Sequence, residues 1–265
     1  VTADPRSVLD RPAPAPDATV RYGPHPDQVA DLRAPAAPGP ARPLVVVVHG
    51  GFWRHGYDRT HTGPLAADLA ARGWPVAQLE YRRTGRPGGT WSDTLHDVAA
   101  GIAAVPELAG AAGIAPPGPP LLLGHSAGGH LALWYAAEAP SSLRGVVALA
   151  PVADLAEAYR LDLDAGAVAA LLGGGPEQVP DRYARADPSR RVPTGARTVI
   201  LHGSADRQVP VEISRSYAAR AAAAGDDVRL VELTDCEHFG LIDPMSPAWG
   251  VVLSTLGGLA GHDNC

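Results

Sequence analysis

Residues 121–136 read LLLGHSAGGHLALWYA. An apolar run stops at Gly124, Ser126 follows, and apolar positions then recur at helical spacing. A buried strand, a sharp turn and a helix account for that order. Gly124 and Gly128 stand two positions either side of Ser126, where side chains would collide as strand and helix close on each other. A serine at such a turn takes a strained backbone conformation that holds its hydroxyl outward. A small residue filling a tight turn would look the same locally, so the rest of the chain has to decide.

Outward from this stretch the same alternation repeats. PLVVVVHGG (43–51), WPVAQLEYR (74–82), GVVALAP (145–151), TVILHG (198–203) and VRLVEL (228–233) read as strands. LAADLAARG (65–73), TWSDTLHDVAAGIAAV (90–105), VEISRSYAARAAAAG (211–225) and PAWGVVLSTLGGLA (247–260) read as helices. ATVRYG (18–23) and DQVADLRAP (27–35) form a short strand pair. Strands alternating with helices predict a largely parallel sheet covered on both faces, an α/β fold in a single domain over 18–265. Residues 1–17, rich in Pro and Ala, are expected as irregular coil. Residues 154–193 exceed a simple crossover and are expected as a lid-like insertion with one short helical piece, AGAVAALL.

Bulk properties narrow the function. The 265 residues are 46% hydrophobic and 19% charged, which suits one large core. Net charge is −6, every cationic side chain is arginine, and no basic block marks a nucleic-acid or membrane partner. The two cysteines, Cys236 and Cys265, make neither a disulfide framework nor a zinc pattern. CEHF (236–239) is not H-E-x-x-H, so no metal is expected. No transmembrane run or signal-peptide layout is read and the expected location is cytoplasmic, although a chain beginning at Val1 leaves export open.

GHSAG (124–128) matches G-x-S-x-G in the strand-turn-helix context that the motif needs. A serine hydroxyl becomes a nucleophile only when a base takes its proton. Of ten histidines, His25, His55, His61 and His262 read as surface residues, His49 and His202 as structural, His96 as exposed or capping, and His125 and His130 as packed beside the turn. His238 differs: it follows the last strand, where the base falls in a Ser…Asp…His order. Asp206, just past the strand TVILHG, is the expected orienting acid, with Asp154, Asp235 and Glu237 as rivals and a helix cap as its bland alternative. HGGFW (49–53) ends a strand in glycines whose N–H groups can face a developing oxyanion. The N–H of Ala127 is one expected donor, and those of Gly51, Phe52 or both are the others. Trp53 and Trp91 are candidate pocket walls.

Taken together, HGGFW, GHSAGGHLA, GSADRQVP and EHFGLIDP resemble the α/β-hydrolase superfamily, nearest to its esterase and kynurenine formamidase (arylformamidase) branch. That resemblance, from about Tyr22 to the C-terminal helix, implies an eight-stranded mostly parallel sheet, a Ser126–Asp206–His238 triad and no cofactor. Phe52 stands where many related lipases and esterases have a third glycine, which narrows the pocket. The expected activity is hydrolysis of small carboxylic esters or N-formyl aryl amides through an acyl-enzyme, with a small-molecule partner and an undefined oligomeric state. An acyltransferase with the same triad and a non-catalytic binding protein of the same fold are the alternatives.

Overall fold

In a computed structural model of the chain, which describes residues 4–36, 39–114 and 118–261, eight strands form one sheet. His262 and Cys265 lie outside the described residues. In chain order the strands are β1 (Ala18–Arg21), β2 (Val29–Arg33), β3 (Val45–Val48), β4 (Val76–Leu79), β5 (Leu121–His125), β6 (Gly145–Leu149), β7 (Thr198–Gly203) and β8 (Val228–Leu233). Their spatial order is β1-β2-β4-β3-β5-β6-β7-β8. The β1–β2 and β2–β4 pairs are antiparallel and all the others parallel. This is the largely parallel sheet that the alternation predicts, with the eight strands that the resemblance to α/β-hydrolases implies.

The valine run shows why. Val45 and Val47 join one core cluster and Val46 and Val48 the other, as a two-residue period requires of a strand covered on both faces. One face carries α1 (Gly63–Ala71) and α8 (Trp249–Ala260); the other carries α2 (Trp91–Ala111), α3 (Ala127–Glu138) and α7 (Val211–Ala223). Thr90 and Asp93 start α2 with a reciprocal capping box. The sequence pattern ends this helix at Val105, yet it runs through Pro106 to Ala111. The lost backbone donor is tolerated because Val105 and Ala109 stay buried on one face.

Two further segments differ from expectation. Residues 5–10 are not coil: Pro5–Asp10 is a 3-10 helix capped by Asp4, and its Val8 is fully buried in the second cluster. The 154–193 insertion holds three α-helices, α4 (Leu155–Arg160), α5 (Ala167–Leu172) and α6 (Pro180–Ala186), and a 3-10 turn, Pro188–Arg190. The charged run hides α6, whose Tyr183 and Ala186, three apart, are its buried pair.

β3 lies between β4 and β5, so the chain leaves β3 toward one side and returns on the other. Ligand crevices in such sheets form at the carboxyl ends of strands where the order reverses. The glycine loop after β3 and Ser126 after β5 both sit there.

Candidate active site

Ser126 has φ 57° and ψ −117°, a conformation that non-glycine residues avoid. Backbone bonds hold it there: its N–H donates to Leu149 (2.8 Å), and its carbonyl accepts from His130 (3.0 Å) and Val152 (3.2 Å). The flanking glycines are sterically required. A Cβ on Gly124 would lie 2.3 Å from the Gly128 carbonyl oxygen, and one on Gly128 would lie 2.0 Å from that of Val48. Gly128→Ala is therefore expected to cost about 3 kcal/mol or more, because backbone cannot yield as a flexible side chain can. Urea denaturation checks this; a midpoint equal to that of the wild type would contradict it.

Three consecutive residues after β3 have positive φ: Gly51 (103°), Phe52 (47°) and Trp53 (57°). Gly50 lets this loop press on the turn, since a Cβ there would sit 3.1 Å from the Ser126 Cβ. Among the described residues the N–H groups of Gly51, Phe52 and Ala127 find no acceptor. Gly51 and Phe52 line the same narrow cleft, of about 50 Å³, as Ser126 and His238. His49 braces the loop from beneath, with Nδ1 on the Gly50 carbonyl (2.8 Å) and Nε2 on Glu80 (2.9 Å). Burial works to raise the Glu80 carboxyl, but His49 and Arg83 outweigh it and hold it down to about 2.

His238 opens a 3-10 turn, His238–Ile242, after β8, and its Nδ1 lies 2.6 Å from Asp206 Oδ2. Beside a carboxylate Nδ1 carries the proton, which leaves the Nε2 lone pair free. Asp206 Oδ1 accepts from the N–H groups of Gln208 (2.8 Å) and Val209 (2.9 Å). It shapes the turn with one oxygen and meets His238 with the other; it does not cap α7, which has no side-chain cap. Burial works to raise the Asp206 carboxyl, but His202 and His238 outweigh it and hold it well below the ordinary range. His202 touches Asp206 as well, with Nε2 3.3 Å from Oδ2. Of the rival acids, Asp154 caps α4, Glu237 accepts from the N–H groups of Phe239 and Gly240, and Asp235 is exposed.

The Ser126 hydroxyl makes no hydrogen bond among the described residues. It shares the cleft with His238 without a closed Oγ–Nε2 bond, as is common before substrate binds. Further lining comes from Tyr57, His61, His125, Gln208 and Phe239, with Arg6 and Leu9 from the N-terminal 3-10 helix and Asp164 from the insertion.

Three sequence expectations need correction. Trp53 is no pocket wall: it is fully buried, and its indole N–H donates to His130 Nδ1 (3.1 Å). Trp91 starts α2 and packs on the core away from the cleft. His61 is no surface residue; the 3-10 turn Arg59–Thr62 buries it 5.6 Å from the His49 ring. Nothing in its polar neighbours signals this, whereas Phe239 could have been suspected from its place next to His238.

Burial pushes His61 down to about 3 and His130 down to about 4; burial, with His238 close by, holds His125 well below its ordinary value. The unfolded chain protonates these rings near pH 6.5 and the folded protein does not. Below that pH the unfolded state binds more protons, so stability falls as pH drops, by up to about 1.4 kcal/mol per pH unit for each ring. Glu80 adds to the loss from about pH 4.5 downward toward 2. The urea midpoint is expected to be lower at pH 5.5 than at pH 7.5; an equal or higher midpoint at pH 5.5 would contradict the assignment.

Among the described residues no three His, Cys, Asp or Glu side chains are grouped to hold a metal, and no helix is long and apolar enough to cross a membrane. Cys236 is a free thiol, and burial raises it to about 11.

The BD-FAE family model matches residues 30–220. The chain is 30% identical over 233 residues to a probable isoprenylcysteine alpha-carbonyl methylesterase of Oryza sativa subsp. japonica, covering 80% of this chain and 55% of that protein. It is 29% identical over 259 residues to Esterase LipC of Mycobacterium tuberculosis, covering 84% and 60% respectively. It therefore spans little more than half the length of these curated relatives. Its structure superposes on a truncated carbohydrate esterase from gut microbiota with a TM-score of 0.80, at 18% identity, over 93% of this chain and 98% of that one. At that identity the likeness is one of fold.

Proposed function

This chain belongs to the BD-FAE family and has the α/β-hydrolase fold, and from that premise we propose that it is a serine carboxylesterase acting on small carboxylic esters. The observation that carries the reading is the 2.6 Å His238–Asp206 contact, which engages Nδ1 and leaves Nε2 as the free ring nitrogen beside the cleft that His238 and Ser126 both line. The Ser126 Oγ attacks the ester carbonyl while its proton passes to His238 Nε2. The oxyanion is held by the N–H groups of Ala127 and of Gly51 or Phe52, which have no other acceptor. The C–O bond to the alcohol then breaks, and the alcohol leaves with the proton from His238. Water repeats the sequence: its proton goes to His238, its oxygen bonds the acyl carbon, and Ser126 is regenerated with the acid as product.

N-formyl aryl amides are the second reading, favoured by the small cleft and its Phe52, Tyr57 and Phe239 rings. One experiment addresses both readings. A fluorophosphonate probe is expected to label Ser126, and kcat/KM is compared for p-nitrophenyl acetate and N-formylkynurenine. Absence of label together with absence of turnover on either substrate would refute a serine hydrolase; a higher kcat/KM on the formamide would favour the second reading.

A further inference from the structure

We propose that the N-terminal 3-10 helix, through Arg6 and Leu9, sets the length of substrate that the catalytic cleft admits. This rests on the serine-hydrolase reading and adds a specificity determinant to it. The helix lies outside residues 30–220, so the wall that it builds is separate from the matched family region.

Arg6 and Leu9 line the cleft beside Ser126 and His238. A second, larger groove of about 400 Å³ adjoins it and is lined by Arg6, Arg207, Gln208, His238 and Phe239 among others. The two spaces share Arg6, Gln208, His238 and Phe239. Of these shared residues, His238 and Phe239 belong to the turn that carries the base, and Gln208 follows Asp206. Arg6 alone comes from the N-terminal helix, so the rim there is closed by a side chain foreign to the catalytic loops.

Its position is held. The Arg6 guanidinium lies 5.3 Å over the Phe239 ring, and Nη2 is 3.5 Å from the Tyr57 hydroxyl. The helix is anchored on both sides of Leu9. Val8 is fully buried, and Arg11 grips both carboxylate oxygens of Asp243, with Nη2 to Oδ2 at 2.9 Å. A buried anchor and a forked ion pair fix the backbone, while Arg6 and Leu9 project where substrate must pass. Cutting Arg6 back joins the 50 Å³ cleft to the 400 Å³ groove, and cutting Leu9 back widens the cleft on the same side. A longer acyl or alkyl chain then has somewhere to go.

The test labels the protein with two alkyl fluorophosphonates, one methyl and one octyl, and compares their second-order rate constants. In Arg6→Ala and in Arg6→Ala/Leu9→Ala the octyl-to-methyl ratio is expected to rise about ten-fold or more, since relieving a steric block on even one methylene is worth roughly that much. Arg11→Gln, which frees the helix from Asp243, is expected to move the ratio in the same direction. Ser7→Ala, exposed on the same helix and outside both spaces, leaves the ratio unchanged. Arg6 is exposed, so its removal does not threaten the fold. An unchanged ratio in the Arg6 variants, with Ser126 labelled normally, overturns the proposal alone. Failure of both probes to label wild type and variants alike overturns it together with the hydrolase reading.

Discussion

Ser126→Ala is expected to lower kcat on p-nitrophenyl acetate by on the order of a million-fold. Among the described residues no other aliphatic hydroxyl and no thiol lines the cleft: the remaining polar side chains carry imidazole, guanidinium, carboxylate, amide and phenol groups. The substitution should leave the fold intact. The turn at 126 is held by three backbone bonds, to Leu149 and from His130 and Val152, and none involves the hydroxyl. A methyl group in place of the hydroxymethyl keeps the positive φ under the same constraint. Residual rate should come only from the free N–H donors of Gly51, Phe52 and Ala127. His238→Ala should cost about as much, and the double variant little more, because nucleophile and base act as one unit. Steady-state kinetics with urea melts of each variant checks this. More than about one per cent of wild-type kcat in a folded Ser126→Ala protein would end the assignment.

Asp206→Asn is expected to cost about ten-thousand-fold in kcat, and the hydrogen bonds around this residue say why. Oδ1 accepts two backbone N–H groups, from Gln208 and Val209. In the variant only the amide oxygen can take that place. The NH2 group must then occupy the position of Oδ2 and face His238 Nδ1, now 2.6 Å from a carboxylate oxygen. A donor there requires Nδ1 to be the acceptor, which moves the ring proton to Nε2 and removes the base from the cleft. A loss smaller than about ten-fold would mean that Asp206 does not set the tautomer.

Much of this architecture could be read along the chain because it obeys short-range rules. A run of four valines that ends in a glycine turn reads as a strand covered on both faces, and alternate valines do enter opposite cores. Gly124 and Gly128 were legible for the same reason: the contacts that forbid a Cβ lie within the turn itself and on the strand beside it. Asp206 and His238 could be picked out by their place after strands, since topology delivers the carboxyl ends of parallel strands to one rim.

Local pattern also misled. His61 sits among polar residues and looks exposed, but its burial depends on His49 and Tyr57, which are neighbours in space. Trp53 looked like a pocket wall beside the glycines, yet its indole turns inward to His130 on α3. The Pro-rich head hides a helix with a single buried residue, Val8, and one apolar position makes no periodic signal.

The succession of strands and helices along the chain, the strained serine and the order of the three polar groups therefore follow from residue type and spacing, because steric exclusion and backbone hydrogen bonding act over a few residues. Which side chains face the substrate, and that Arg6 and Leu9 close a cleft whose base lies more than two hundred positions away, is decided only when the packed sheet brings remote segments into contact. Burial is a property of that final arrangement, and no local window of sequence contains it.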